Sequence, residues 1–161
     1  MENWFVPHHE SILPVARRVM VFAPHPDDEV FGCAGAMIQT VRSGASIQVL
    51  VFTDGCAHLE GQAKLDMKAL REHESCVSAQ IMGCPEPQFL GFEDRKLCDV
   101  SGLKDIIRAK IEAFNPDLLF FPSFWEIHPD HRALCFATLE VAKEGFHGIT
   151  SDLVLMQYEV G

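Results

Sequence analysis

The sequence predicts an α/β domain of three layers, with helices covering both faces of a mainly parallel sheet. Three observations support this. Apolar, β-rich runs alternate along the 161 residues with stretches of helical periodicity, the pattern of linked strand–helix–strand units. Two of the runs, VMVFA and DLLFFP, are almost uninterrupted hydrophobic segments, as expected of strands buried on both faces. No repeat, low-complexity tract or linker divides the chain, so a single domain over 1–161 is the economical reading.

The first strand is expected over 19–23, followed by a helix over 29–42. In that helix Val30, Ala34, Met37, Ile38 and Val41 recur at helical spacing, and Ser43-Gly44 supplies a stop. A strand over 47–53 leads to a longer, more polar helix over 62–82. Its apolar side reads as Leu65, Ala69, Leu70, Val77 and Ile81, closed by Gly83. A strand over 88–92 precedes a helix over 103–114 built on Leu103, Ile106, Ile107, Ala109 and Ile111, which halts before Asn115-Pro116. The strand over 117–122 precedes a helix over 130–143 carrying Leu134, Phe136, Ala137, Leu139 and Val141 and ending at Gly145. A last strand covers 153–158, and residues 1–16 read as an irregular lead-in.

Hydrophobic residues at 48% and charged residues at 22% fit a soluble globular protein. The net charge of −10 argues against a nucleic-acid partner, because phosphates favour a Lys/Arg surface. The 6 cysteines form no C-x-x-C pair, and several sit inside apolar periodic stretches. Reduced thiols and a cytoplasmic location are therefore expected rather than a disulfide framework. The N-terminus lacks the basic and apolar segments of a signal peptide. No apolar run approaches the roughly 20 residues of a membrane helix. Oligomeric state is not legible in the sequence.

The chain writes nearly the same four letters twice, as His25-Pro26-Asp27-Asp28 and as His128-Pro129-Asp130-His131. Either copy alone is an ordinary helix start, with proline at the first helical position and acids in the first turn. What capping does not require is recurrence at two strand ends, each time with histidine before the proline. Imidazole and carboxylate three residues apart can converge on one point through a helical turn. Three such ligands with one position left open describe a catalytic rather than a structural zinc site. In an open α/β sheet, ligands bind beyond the carboxyl ends of the strands where strand order reverses. For a Rossmann-like order 3-2-1-4-5 that point lies between the first and fourth strands, which carry the two motifs.

The remaining histidines (His8, His9, His58, His73 and His147) read as surface or leader residues. G-x-G-x-x-G, the P-loop signature and the nucleophile elbow are all absent.

The ordered series PHPDDE at 24–29, TDG at 53–55, REHE at 71–74 and HPDHR at 128–132 resembles the zinc-dependent de-N-acetylases of the PIG-L/LmbE-like family. The likeness runs from Arg18 to Tyr158. It implies that His25, Asp28 and His131 ligate Zn2+, although Fe2+ or another divalent ion suits the same donors. It further implies Asp27 as general base and His128 as the group that polarises the carbonyl or stabilises the oxyanion. Asp130 would be the orienting partner of His128, and Arg71 would shape the substrate site.

The activity so implied is removal of the acetyl group from an N-acetylated amino sugar of GlcNAc type, giving acetate and a free amine. Metal-dependent hydrolysis of another amide or ester, or a non-catalytic sugar-binding module of a larger protein, are the other readings. Trp125 and Glu126 stand where some family members place a tyrosine that aids the chemistry. Trp125 would stack on a sugar ring or form a lid packed on the core. Members of the family commonly run longer, so the expectation is a minimal member, a fragment cut short at its C-terminus, or one module of a larger polypeptide.

Overall fold

The computed structural model describes residues 12–146 and 152–160. The lead-in through residue 11, with His8 and His9, and His147 lie outside the described residues. The elements, in chain order, are β1 (Arg18–Ala23), α1 (Asp28–Arg42), β2 (Ser46–Thr53), α2 (Gly61–Met82) and β3 (Gln88–Phe92). There follow a 3-10 turn at Leu97–Asp99, α3 (Leu103–Phe114), β4 (Leu118–Pro122), α4 (Pro129–Glu144) and β5 (Val154–Tyr158). The sheet runs β3-β2-β1-β4-β5 with every pair parallel, which is the expected order.

Strand periodicity sorts the core into two layers. Met20, Phe22, Leu50, Phe52, Leu119 and Phe121 face one side, where Ile107 and Ile111 of α3 and Leu134 and Val141 of α4 cover them. Val19, Val21, Val49, Val51, Leu118 and Phe120 face the other, against Cys33 and Met37 of α1 and Met82 of α2. The central strands β1 and β4 therefore bury both faces, and Val19 through Ala23 are all 0% exposed. The chain winds outward from β1 on one face, then returns to β4 on the other. Strand order reverses between β1 and β4, which opens a crevice at their carboxyl ends.

Two expectations are corrected. Asp117 precedes β4 instead of opening it, and its carboxylate accepts from the N–H groups of Arg17 and Arg18 at 2.8 and 2.9 Å. In α2 the apolar side faces outward: Leu65, Leu70 and Val77 are exposed and Ile81 is 80% exposed. Its inward stripe carries Arg71, Ser75, Ala79 and Met82, with Lys64 above them. Much of the helix overhangs the loops after β1 and β2 rather than the sheet. Those loops present carbonyls and a carboxylate, so polar side chains make the better contact: Arg71 donates to Gly55 O at 2.5 Å, and Lys64 meets Asp54 at 3.1 Å.

Among the described residues, no helix is long and apolar enough to cross a membrane.

Candidate metal-dependent active site

Loops at the carboxyl edge of the sheet each deliver side chains to one point. Beyond β1, the His25 N–H donates to Asp28 Oδ2 at 2.8 Å, and the ring Nδ1 lies 3.1 Å from the same oxygen. Asp28 opens α1, so this three-residue turn is closed before the helix begins. His131, in the first turn of α4, brings Nε2 to 3.1 Å from Asp28 Oδ2 and 3.3 Å from His25 Nδ1. The three donor atoms thus form a near-equilateral triangle. Ligand atoms about 2.0–2.1 Å from one centre at tetrahedral angles lie about 3.3 Å apart, so the triangle fits a zinc-sized ion.

The far sides of both imidazoles meet carboxylates, as metal-ligating histidines usually do. His25 Nε2 lies 3.3 Å from Asp130 Oδ2 and 3.2 Å from Asp94 Oδ1. His131 Nδ1 is buried without a hydrogen bond, 3.6 Å from Glu126 Oε2. Glu126 Oε1 accepts the N–H of Val160, just beyond β5. A third imidazole stands close, for the ring of His128 crosses that of His25 at 4.5 Å and 88°. His128 caps α4, its Nδ1 accepting the Asp130 N–H at 3.3 Å. Its Nε2 is 3.9 Å from Asp94 Oδ1.

This arrangement concentrates negative charge around one imidazole. Burial opposes a charge on His25, but contacts with Asp130, Asp28 and Asp94 outweigh it and push its pKa up to about 11. Burial likewise works against charge on Asp28 and Asp94, yet the neighbouring histidines hold both carboxyls well below the usual range. A proton on His25 balances these carboxylates as a bound cation would. His128 moves the other way, lowered by burial and by the charge of His25.

Asp27 occupies the N-cap of α1 with φ 144° and ψ −27° and makes no side-chain cap, a backbone conformation rarely adopted by L-residues. Its carboxylate instead meets Arg71 Nη2 at 2.6 Å. Burial raises its pKa, with Arg71 pulling the other way. Arg71 also donates to Pro26 O at 3.2 Å and to Gly55 O at 2.5 Å. Gly55, at φ +62°, has no side chain because a Cβ there would strike the guanidinium. Arg71 also lines the pocket.

Asp130 departs from expectation. Its carboxylate, fully buried, accepts from the N–H groups of Arg95 and Leu97 at 2.6 and 3.0 Å and faces His25. Only its backbone N–H reaches His128. The cause is the loop after β3, which passes beneath the start of α4 and needs an acceptor for those two N–H groups.

The pocket, about 330 Å³, is lined by His25, Asp27, Asp28, Arg71, Asp94, Glu126, His128, His131 and Val160. All seven expected site residues surround it except Asp130, which sits just beneath. His58 and His73 are exposed, as expected. Trp125 is 73% exposed, with its ring against that of Phe124 at 4.6 Å, so it is not a packed lid.

Asp94 has no part in the sequence reading, and Glu126, Asp54 and Glu29 enter it only as members of quoted segments, without a role. Asp94 and Asp54 follow strands, and the positional rule that selects His25 and His128 would have found them. Asp54 Oδ1 accepts the N–H groups of Cys56 and Asp94 at 3.1 and 3.2 Å, which fixes the turn that carries Asp94. Glu29 ends the PHPDDE run and lies 1% exposed.

Comparison with known proteins sets this geometry in context. Diacetylchitobiose deacetylase of Thermococcus kodakarensis is 31% identical over 147 residues, covering 86% of this chain and 54% of that protein. A probable N-acetyl-alpha-D-glucosaminyl L-malate deacetylase 2 of Bacillus anthracis is 28% identical over 133 residues, covering 77% and 58%. Among solved structures, N,N'-diacetylchitobiose deacetylase from Pyrococcus horikoshii superposes with a TM-score of 0.75 at 24% identity, over 89% of this chain and 60% of that one. The chain spans about half the length of the curated relatives it matches. The PIG-L family, described as GlcNAc-PI de-N-acetylase, matches residues 20–142. That span takes in both His-Pro-Asp motifs and four of the five strands, and the chain belongs to the PIG-L family.

Proposed function

We propose that this chain is a zinc-dependent hydrolase that removes the acetyl group from an N-acetylated amino sugar of GlcNAc type. The observation that carries this reading is the triangle of His25 Nδ1, Asp28 Oδ2 and His131 Nε2, with edges of 3.1–3.3 Å, in a pocket shared with the Asp27 carboxylate. Two neutral imidazoles and one carboxylate suit zinc, and iron(II) is the other ion of matching preference. Held there, the ion supplies Lewis acidity to a carbonyl and makes water easier to deprotonate.

The protein's own groups complete the chemistry. Asp27 retains 43% side-chain exposure, and its raised pKa suits a base that takes a proton from attacking water and later returns it. Arg71 fixes the direction of that carboxylate. His128, on the other side of the pocket, donates from Nε2 to the oxyanion as the tetrahedral intermediate forms; loss of one such donor costs ~10²–10³ in rate. Asp94, 3.9 Å from that nitrogen, is the carboxylate beside the His128 ring, the place expected of Asp130. Asp27 then protonates the departing amine, leaving acetate and the amino sugar. The relatives' names, deacetylases of chitobiose and of glucosaminyl malate, support an N-acetyl sugar as substrate. All six cysteines carry free thiols, which supports a reducing, cytoplasmic setting.

The test is acetate release by zinc-loaded protein from a panel of acetamido sugars, acylated amino acids and simple esters. Turnover confined to acetamido sugars is expected. Turnover of the esters or acylated amino acids alone, or of nothing, would overturn the reading.

A further inference from the structure

An aspartate at a helix N-cap normally folds its carboxylate over the free N–H groups of the first turn. Asp27 does not, and Glu29 does part of that work instead. Glu29, the second residue of α1, reaches back so that its Oε2 accepts the N–H of Asp27 at 3.1 Å. Its other oxygen accepts the hydroxyl of Ser75, on the inward stripe of α2. The residue is 1% exposed and does not line the metal pocket. Burying a carboxylate is costly unless its oxygens are satisfied, and an apolar side chain would fill the space more cheaply. Both oxygens are committed, one to the backbone of Asp27 and one to the helix that also supplies Arg71.

We propose that Glu29 is a positioning residue: by holding the Asp27 N–H and anchoring to Ser75, it keeps Asp27 at positive φ. Its carboxylate then points to Arg71 and the pocket instead of capping α1. Two clamps act on one residue. Arg71 holds the Asp27 carboxylate and the preceding carbonyl, and Glu29 holds the N–H between them. Releasing the second clamp lets the backbone relax toward an ordinary N-cap and turns the carboxylate away from the pocket. The inference rests on the reading of Asp27 as general base.

The experiment compares Glu29→Ala, Glu29→Gln and Ser75→Ala with wild type in the zinc-loaded full chain. It combines steady-state kinetics, zinc content and crystal structures. Glu29→Ala is expected to lose about 10² in kcat, the typical cost of a reacting group displaced by about 1 Å, with KM and zinc content unchanged. Its Asp27 φ is expected to turn negative, with the carboxylate on the α1 N-terminus. Glu29→Gln is expected to recover most of the rate, since its amide oxygen still accepts the Asp27 N–H. Ser75→Ala is expected to fall between them, and carries the test if Glu29→Ala does not fold.

Wild-type kcat in Glu29→Ala, or in Ser75→Ala where that variant carries the test, would overturn the proposal. So would an equal loss in Glu29→Gln and Glu29→Ala, or an Asp27 backbone unmoved in Glu29→Ala. Failure of the wild type to release acetate would defeat the functional reading instead; the Asp27 conformation in the Glu29→Ala structure would still decide the role of Glu29.

Discussion

The two His-Pro-Asp motifs share letters and differ in helix register. In the second, His128 is the N-cap of α4 with φ −64° and ψ 134°, and Pro129 is the first helical residue, the position proline favours. In the first, the helix starts two residues later in the motif: Asp27 is the N-cap and Asp28 the first helical residue. The aspartate after each proline therefore meets opposite fates. Asp130 lies inside the first turn, is 0% exposed, and satisfies two backbone N–H groups. Asp27 sits outside the helix on a strained backbone with its carboxylate in the pocket. A shift of two positions thus makes one aspartate a structural anchor and leaves the other free to react. Strain and exposure mark the reactive one, which is a common arrangement at functional sites.

The largest expected effect comes from removing the reactive copy. Asp27→Gly should lower kcat by ~10²–10⁴ while zinc content stays at the wild-type level. The same change should raise stability by about 1 kcal/mol, because glycine tolerates the positive φ. Denaturant titration beside kinetics checks both, and a destabilised variant would contradict the strain.

The mirror experiment, Asp130→Ala, should destabilise the fold by about 1–3 kcal/mol by orphaning the N–H groups of Arg95 and buried Leu97. It should also weaken zinc affinity ~10–100-fold through loss of the carboxylate behind His25. Opposite signs of the stability change at two aspartates of the same motif would be the clearest confirmation of the register difference.

The pH dependence of metal binding sharpens the role of the first motif. With its pKa pushed up to about 11, His25 carries a proton that a coordinated ion would have to displace. Apparent zinc affinity should then rise about tenfold per unit between roughly pH 6 and 9, as competition titration would show. A flat profile would mean that His25 is already neutral before the ion arrives. The smallest effect belongs to Pro129→Ala, expected to cost about 0.4–1 kcal/mol of stability through greater freedom of the unfolded chain. Its kcat should be unchanged, because this proline only pre-sets the start of α4.

Much of this was legible in the sequence. Apolar runs such as VMVFA alternating with amphipathic helices predict the parallel three-layer fold, and two His-Pro-Asp motifs at strand ends predict a shared site. The set of His25, Asp28 and His131 comes from the family resemblance. What was not legible depended on neighbours distant in sequence. Leu65, Leu70 and Ile81 of α2 gave the correct period but the wrong inward face, because periodicity cannot tell whether a helix lies over a sheet or over polar loops. The resemblance pairs Asp130 with His128, whereas its carboxylate faces His25 and the N–H groups of Arg95 and Leu97, in a loop from another crossover. Asp94 follows β3 and so meets the same positional rule as His25 and His128, but its contacts with both come only from the fold.

The most direct test of the metal centre is elemental analysis of protein purified without chelator and then offered zinc, beside His131→Ala. About one divalent ion per chain in the wild type, lost in the variant while the fold is kept, is the expected result. Wild-type protein that takes up no ion, or a variant that holds its full complement, would contradict the ligand set of His25, Asp28 and His131.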